Sequence, residues 1–377
     1  MSVAYDARTD TVDEARKQKI SEIFAAATKE IGRVNIAVLG KTGAGKSSLI
    51  NAVFGEEVAI TGHGQPVTQH LHMHLLNNGH LGLLDTRGLE LSDKSSETIL
   101  QDFHTYRARY ATDTVEAVHA VWYCVQVPGA RIEPFEEKVI RSLAEDLGLP
   151  VILVLTKGRR KEGRIGDQDL AFQASCDELQ LPTVLGSHLT SAIKDEWGFE
   201  QFGIEALVES TRSVVPKAVK GAFVAAQIVD LKAKRRACAE FIKIAAAGAV
   251  VVGASPIPFS DKILLVPVQL AMMAKISTTY GMSIQTATLA AVSATSAMAT
   301  AGPSAVATLL KFLPGIGTVA GGAIAAGVAS GSTILLGQVW LSLCERVFTG
   351  EISSDIFDSN ADLLRFITND LKKRSSS

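Results

Sequence analysis

The chain has 377 residues, 47% of them hydrophobic, and a formal net charge of −2. This length allows two domains with sizeable cores, and the near-zero charge argues against a protein that coats nucleic acid. The polar N-terminal residues up to Lys19 do not resemble a signal peptide. The four cysteines lie too far apart for a metal or redox motif, and we expect reduced, mostly buried thiols in a cytosolic compartment at Cys124, Cys176, Cys238 and Cys344.

Residues 1–32 predict one leading amphipathic helix. Apolar side chains recur near helical spacing from Val12 to Ile31, and Thr11 with Glu14 has the pattern of a capping box. We expect this helix to pack against another part of the protein.

Residues 33–215 alternate strand and helix patterns. Strands are predicted at residues 33–39, 70–76, 80–85, 117–125, 151–156 and 183–189, with helices at 46–54, 97–110, 134–147, 167–178 and 202–214. Alternation of this kind predicts an α/β fold with a mostly parallel sheet covered on both faces. Asn77, Asn78 and Gly79 favour a hairpin turn, which adds one antiparallel edge strand.

Residues 216–377 predict an all-α domain, rich in Ala, Gly, Ser and aliphatic residues. Four prolines are expected to divide it into several helices, namely Pro256, Pro258, Pro303 and Pro314. No charged residue lies between Lys275 and Lys311 or between Lys311 and Glu345. Either stretch is long enough to cross a bilayer at about 1.5 Å per residue. Their small residues equally suit tightly packed helices, so membrane association and a soluble bundle both stay open.

A phosphate-binding loop is predicted at residues 40–47, which match G-x-x-x-x-G-K-[ST] between a strand and a helix. Glycines let backbone N–H groups curl around a phosphate, and the N-terminus of the helix adds positive potential. Lys46 is expected to reach the β- and γ-phosphates, and Ser47 to offer its hydroxyl to Mg²⁺. The predicted nucleotide-binding residues here are Gly40, Thr42, Gly43, Ala44, Gly45, Lys46, Ser47 and Ser48.

Two further segments are expected to close over the triphosphate. Asp85 follows an apolar strand and begins D-x-x-G, so its carboxylate can hold Mg²⁺ through water while the Gly88 N–H bonds the γ-phosphate. In the loop of residues 61–68, Thr68 is the preferred metal ligand and Thr61 the alternative. The predicted metal ligands are therefore Ser47, Thr68 and Asp85, and the predicted catalytic residues are Lys46, Thr68 and Gly88.

These motifs resemble the Era- and septin-like branch of the translation-factor-related GTPases, over residues 33–215. The second half is similar to the helical domain of unknown function that accompanies such GTPases in bacteria, through the stretch Ser255–Lys262 with Gln269 and Tyr280-Gly281. The two-domain arrangement is also weakly similar to immunity-related GTPases. The resemblance implies an α/β P-loop GTPase domain that binds GTP or GDP with Mg²⁺.

The base-recognition motif of such GTPases, [NT]-K-x-D, falls on residues 156–159. Thr156 and Lys157 match it, and Lys157 is expected to lie over the base. Arg159 replaces the aspartate that pairs with guanine N1 and N2, although a guanidinium cannot accept a hydrogen bond. Ser191 and Ala192 fit the loop whose backbone reads guanine O6. Guanine stays the expected base, and the candidate substitutes for the missing carboxylate are Asp167 and Asp169.

Two more departures bear on hydrolysis. Leu89 stands where Ras-like enzymes carry a glutamine that positions water, and an apolar side chain cannot orient water. We therefore expect slow GTP hydrolysis, or a missing group supplied by a partner or a second copy. Gly43 stands where potassium-activated relatives carry asparagine, which argues against that mechanism.

His70, His72 and His74 alternate with apolar residues, so the three imidazoles are predicted to share one strand face. A solvated edge-strand face is the preferred interpretation, with a zinc site as the alternative.

The sequence thus predicts a GTP-binding switch with slow hydrolysis, which couples its nucleotide state to a helical, membrane-associated domain. The expected location is the cytoplasmic face of the inner membrane of a bacterium, with a membrane lipid or membrane protein as partner and a homodimer or oligomer as an option. The alternatives are a ribosome or RNA assembly GTPase, for which RNA is the less expected partner, and a soluble self-assembling GTPase.

Overall fold

A computed structural model of the chain describes residues 7–55, 65–66, 71–86, 93–110, 113, 115–127, 131–194, 198–253, 260–283, 286–288, 322–357 and 359–375. The chain divides into two compact units. One comprises Gly32–Leu231, and the other comprises Met1–Ile31 together with Lys232–Ser377.

The first unit is an α/β domain. Its described strands are β1 (Val34–Leu39), β2 (Gln65–Pro66), β3 (Leu71–Leu76), β4 (Leu81–Thr86), β5 (Ala120–Gln126), β6 (Val151–Thr156), β7 (Arg160–Lys161), β8 (Arg164–Ile165) and β9 (Ser187–Leu189). Its described helices are α2 (Lys46–Phe54), α3 (Asp93–Tyr110), α4 (Pro134–Arg141), α5 (Asp167–Glu178), α6 (Ile204–Val214) and α7 (Lys220–Ala226). A π-helical turn, Ser142–Asp146, continues α4.

A seven-stranded sheet in the order β2-β3-β4-β1-β5-β6-β9 organises this unit. Strand β1 pairs in parallel with β4 and β5, β5 with β6, and β6 with β9. Strand β3 runs antiparallel to both β2 and β4. The expected mostly parallel sheet with one antiparallel strand is confirmed. The predicted edge position of that strand is wrong, because β2 pairs with the outer side of β3. The carboxyl ends of the parallel strands meet at one end of the sheet.

Both faces of the sheet are covered, which explains why the central strands β1, β5 and β6 consist mostly of apolar residues. Every residue of β1 and β6 is buried. On one face, Phe103 of α3 and Val139 of α4 join the core of the strands. On the other face, Trp122 of β5 stacks on Phe54 of α2 at a ring-centroid distance of 5.6 Å and donates a hydrogen bond to Thr211 Oγ1 of α6 at 3.0 Å.

Local structure departs from the sequence predictions at two places in this unit. The stretch around Arg160, for which no strand is predicted, contains the antiparallel pair β7–β8. In β3, His74 is buried and Leu75 is 48% exposed. The prediction that the histidines share one solvated face is therefore wrong for His74. His72 is half-buried, and His70 lies outside the described residues. Leu71 and Met73, on the other face of β3, are the residues that pack with Phe103 of α3, whereas His74 lies opposite the buried Leu83 of β4.

The second unit is helical. Its described helices are α1 (Ala7–Lys29), α8 (Leu231–Gly253), α9 (Ser260–Thr279), α10 (Gly322–Phe348) and α11 (Asn360–Ser375). Helix α1 packs along α9, where Thr28 and Thr278 share a hydrogen bond of 3.0 Å. Trp340 of α10 is buried and donates to Ser277 Oγ at 2.9 Å. Gly337 allows α10 to approach Ile242 and Met272, since a methyl group there would lie 2.6 Å from Ile242 Cγ1.

The division between units differs from the boundary drawn at residue 216. Residues 216–231 group with the sheet because α7 buries Phe223 against Phe54 at 6.3 Å, and the Ile228 N–H donates to the Val53 carbonyl at 2.8 Å. The leading helix, predicted as a segment of its own, groups with the helical unit through its packing on α9.

Among the described helices, none combines the length and apolar character needed to span a bilayer. The uncharged stretch that follows Lys275 lies in large part outside the described residues. The part of the second uncharged stretch that is described belongs to α10.

Candidate nucleotide site

The loop between β1 and α2 has the backbone conformation that its glycines permit. Gly40, Gly43 and Gly45 have φ values of +138°, +79° and +81°. A Cβ at Gly40 would lie 2.3 Å from the carbonyl oxygen of Cys124 on the neighbouring strand β5. Only glycine fits that approach, so β5 and the loop can lie in contact.

The ammonium group of Lys46 lies inside this loop. Its Nζ donates to the carbonyl oxygens of Gly40 at 2.7 Å and Lys41 at 3.0 Å. Helix α2 begins at Lys46, has no acidic residue in its first turn, and receives no side-chain cap from Gly45. Its first N–H groups and the exposed Ser47 and Ser48 therefore offer an anion donors and positive potential. The residues present fit a nucleoside phosphate.

Lys41 of the same loop contacts the start of α4, which the sequence analysis missed. Its Nζ lies 3.1 Å from Glu136 Oε2 and 5.0 Å from the ring centroid of Phe135. Glu136 is 1% exposed, and it forms a capping box with Glu133 ahead of Pro134. The order Glu-Pro-x-Glu is typical of the start of a helix, and this pattern could have identified Glu136 from the sequence.

The residues predicted to hold the metal and the γ-phosphate are described only in part. Asp85 occupies β4 opposite His72 of β3, at the carboxyl edge of the sheet, but its side chain lies outside the described residues. Thr61, Thr68, Gly88 and Leu89 also lie outside them, so their roles stay predictions. Among the described residues, no cluster of His, Cys, Asp or Glu side chains forms a metal site of its own.

The predicted base loop is joined to the phosphate loop by Thr156. Its Oγ1 donates to the Ala44 carbonyl at 2.5 Å, between residues 112 positions apart in sequence. Lys157 has a left-handed backbone, with φ +59°, and its Nζ donates to Gln126 Oε1 at the end of β5 at 3.0 Å. Gln126 is a second site residue that the sequence analysis did not identify.

The loop of residues 190–193 lies beside the base loop. The Gly158 N–H donates to the Thr190 carbonyl at 2.9 Å, and the Ser191 hydroxyl donates to the Ile193 carbonyl at 3.1 Å. Ser191 also bridges Phe202 through backbone hydrogen bonds, while Gln201 Nε2 donates to the Ala192 carbonyl at 2.9 Å. The structure thus brings the predicted residues Thr156, Lys157, Ser191 and Ala192 to one edge of the sheet.

Arg159 and the two candidate carboxylates differ in their surroundings. The Arg159 guanidinium lies 5.9 Å from the ring centroid of Phe199, and its backbone N–H donates to Asp169 Oδ2 at 2.5 Å. Asp169 is 8% exposed, whereas Asp167 is exposed on the same turn of α5. Of the two, Asp169 is the one that reaches the base loop.

The thiols of the chain are buried, as predicted. All four cysteines are free and buried. Burial raises the pKa of Cys124, next to the phosphate loop, to about 12, although nearby Lys46 opposes this effect. Cys124 is therefore a protonated, apolar neighbour of the loop at neutral pH.

Comparison with known proteins identifies the first unit. Residues 35–157 match the model of a protein family described as 50S ribosome-binding GTPase. Over 186 residues, the chain is 28% identical to GTPase Era of Xanthomonas axonopodis pv. citri (strain 306) and 30% identical to GTPase Era of Xanthomonas oryzae pv. oryzae (strain MAFF 311018). Each alignment covers 49% of this chain and 56% of the relative.

Solved structures are related more distantly. A probable GTP-binding protein engB is 17% identical, with a TM-score of 0.33, and the match covers 48% of this chain and 98% of that one. The present chain spans just over half the length of the curated relatives that it matches. The sheet-containing unit is therefore similar in sequence to this GTPase family over residues 35–157.

Proposed function

We propose that this chain, which carries an Era-like P-loop GTPase domain, is a GTP-binding switch that hydrolyses GTP slowly and passes its nucleotide state to the helical unit. The observation that carries the proposal is the arrangement of Lys46. Its ammonium group rests on two loop carbonyls in front of the N-terminus of α2, from which it can turn to the β- and γ-phosphates.

Mg²⁺ is the expected metal of this site. In the proposed complex, the Ser47 hydroxyl binds the ion, and Thr68 and Asp85 complete its protein ligands. A bound Mg²⁺ would supply positive charge that offsets the negative charge on the phosphate oxygens during hydrolysis. The Gly88 N–H senses the γ-phosphate, and Leu89 provides no group that orients water, which accounts for the slow rate.

A nucleotide titration tests this proposal. Labelled GTP, GDP and ATP are added to the full chain with and without Mg²⁺, and phosphate release is followed in parallel. We expect Mg²⁺-dependent binding of GTP and GDP, weak ATP binding, and loss of binding in Lys46→Ala. Lys19→Ala is a control outside the site. GTP affinity that is unchanged in Lys46→Ala would overturn the assignment.

Membrane association of the helical unit is the second part of the proposal, at the cytoplasmic face of the inner membrane. Branched apolar side chains on three helices are exposed to solvent, namely Ile244, Val250, Val266 and Ile334. Gln269 of α9 donates to Thr333 Oγ1 of α10 at 3.1 Å, and Gly248 of α8 faces Val268, so these side chains lie near one level of the bundle. Such a patch favours contact with lipid.

Vesicle flotation tests the membrane part. We expect the full chain to float with vesicles that contain anionic phospholipid and the double variant Ile244→Ser/Ile334→Ser to stay in the dense fraction. Leu185→Ser, which changes an exposed leucine of the other unit, is the matched control. A wild-type chain that stays in the dense fraction would contradict membrane association.

A ribosome-associated role is the alternative. It is favoured by the description of the matching family and by the basic side chains Arg159, Arg160, Lys161 and Arg164 around the β7–β8 pair. GTP-dependent co-sedimentation with ribosomes in place of vesicles would support it. A GTP-dependent rise in sedimentation coefficient without either partner would support self-assembly.

A further inference from the structure

The side chain at residue 159 cannot read guanine. The edge of guanine that distinguishes it from adenine presents N–H donors at N1 and N2 beside the O6 acceptor. A carboxylate accepts from both donors, whereas a guanidinium consists of donors only. The GTP site therefore needs a carboxylate from elsewhere in the chain if it is to select guanine.

Asp169 brings a carboxylate to the required place. Its Oδ2 accepts the backbone N–H of Arg159 at 2.5 Å. A carboxylate carried by residue 159 itself would lie within about 4 Å of that same nitrogen, given the standard bond lengths. The Asp169 carboxylate and the side chain of residue 159 thus both lie within a few ångströms of the same backbone nitrogen, about 4 Å or less.

The second oxygen of this carboxylate is available. Within the described part of the chain, the hydrogen bond from the Arg159 N–H goes to Oδ2 of Asp169, and the residue keeps 8% of its surface exposed. The Arg159 guanidinium lies over the ring of Phe199, which draws its positive charge to one side of the loop. Oδ1 can therefore accept a guanine N–H while Oδ2 keeps the backbone contact.

Two exposed side chains lie on the loops that would flank the base. Ile193 is 66% exposed although it is apolar, and it follows the predicted base-reading residues Ser191 and Ala192. Lys157, on the adjacent loop, is held by Gln126. In the proposed complex, the Ile193 side chain and the aliphatic part of Lys157 would offer apolar surface to the faces of a purine.

We propose that Asp169 is the specificity-determining residue for guanine in this chain and accepts a hydrogen bond from the N1–H and N2–H edge of the base in place of residue 159. The inference rests on the proposed GTP site. Since Asp169 comes from the first turn of α5, guanine recognition would also hold the base loop against that helix.

Xanthine nucleotides test this role. Xanthine carries an oxygen in place of the N2 amino group, so an amide N–H₂ at residue 169 matches it while the amide oxygen still accepts the Arg159 N–H. We expect Asp169→Asn to bind GTP about 10- to 100-fold more weakly, the loss of one charge-assisted contact, and to gain affinity for xanthosine triphosphate. Asp167→Asn, on the same turn, should behave as the wild type.

A second variant separates loss of the contact from loss of the fold. Arg159→Asp in the Asp169→Asn background should restore GTP selectivity by returning a carboxylate to the loop. Unchanged GTP affinity in Asp169→Asn, or a loss that Arg159→Asp does not restore, would overturn the inference. A wild-type chain that binds no GTP would instead refute the proposed function, so the two failures are distinguishable.

Discussion

Replacement of Gly40 by alanine probes the contact between the phosphate loop and strand β5. The new Cβ would lie 2.3 Å from the backbone carbonyl oxygen of Cys124, closer than the 3.0 Å that real Cβ contacts respect. This oxygen belongs to a central strand and cannot rotate away. Overpacking of this kind costs about 1–3 kcal/mol, and a strained positive φ costs about 1–3 kcal/mol more. We expect Gly40→Ala to lower the free energy of unfolding by about 2–6 kcal/mol.

Gly43 is the matched control because it lies in the same loop, has φ +79°, and has open space around its would-be Cβ. Gly43→Ala should cost only the backbone term, about 1–2 kcal/mol. Urea unfolding of the nucleotide-free chain measures the free energy of unfolding of both variants. Hydrogen exchange of β5 peptides reports the stability of the sheet-containing unit separately from that of the helical unit. Equal losses in the two variants, or a wild-type midpoint in Gly40→Ala, would refute the steric reasoning.

Two further substitutions address buried polar groups. Thr156→Val removes the hydroxyl that donates to the Ala44 carbonyl, so we expect a loss of about 1–3 kcal/mol in unfolding free energy and weaker GTP binding. Thr156→Ser keeps the hydroxyl and should retain both the stability and the binding. Equal behaviour of the two variants would contradict this role. Burial lowers the pKa of Lys234 from 10.5 to about 7, with Cys238 opposing the shift. The unfolded chain therefore binds this proton more tightly, and stability gains up to about 1.4 kcal/mol per pH unit between these two values as pH rises. Urea titrations at pH 7 and 9 should show this gain in the wild type and not in Lys234→Met. The same change of stability with pH in both chains would contradict the assignment of the gain to Lys234.

Short-range sequence patterns were sufficient to predict the phosphate loop, the strands and the hairpin turn. The phosphate loop is contiguous, and its glycines, lysine and following helix specify their own geometry through backbone conformation and the helix N-terminus. The strands were identified for a similar reason, since a run such as Val34–Leu39, apolar except at Asn35, is expected only where both sheet faces are covered. The hairpin turn followed from Asn77, Asn78 and Gly79, all of which have positive φ.

Contacts between distant residues were decided by the tertiary structure. Lys41 with Glu136, Thr156 with Ala44, and Arg159 with Asp169 join separate loops at the carboxyl edge of the sheet. The sequence by itself named Asp167 and Asp169 as equal candidates, because two carboxylates on one helical turn are indistinguishable until the turn is packed. The path of α5 past the base loop buries Asp169 and leaves Asp167 exposed to solvent. This difference depends on the packing of the helix, which a sequence pattern does not specify.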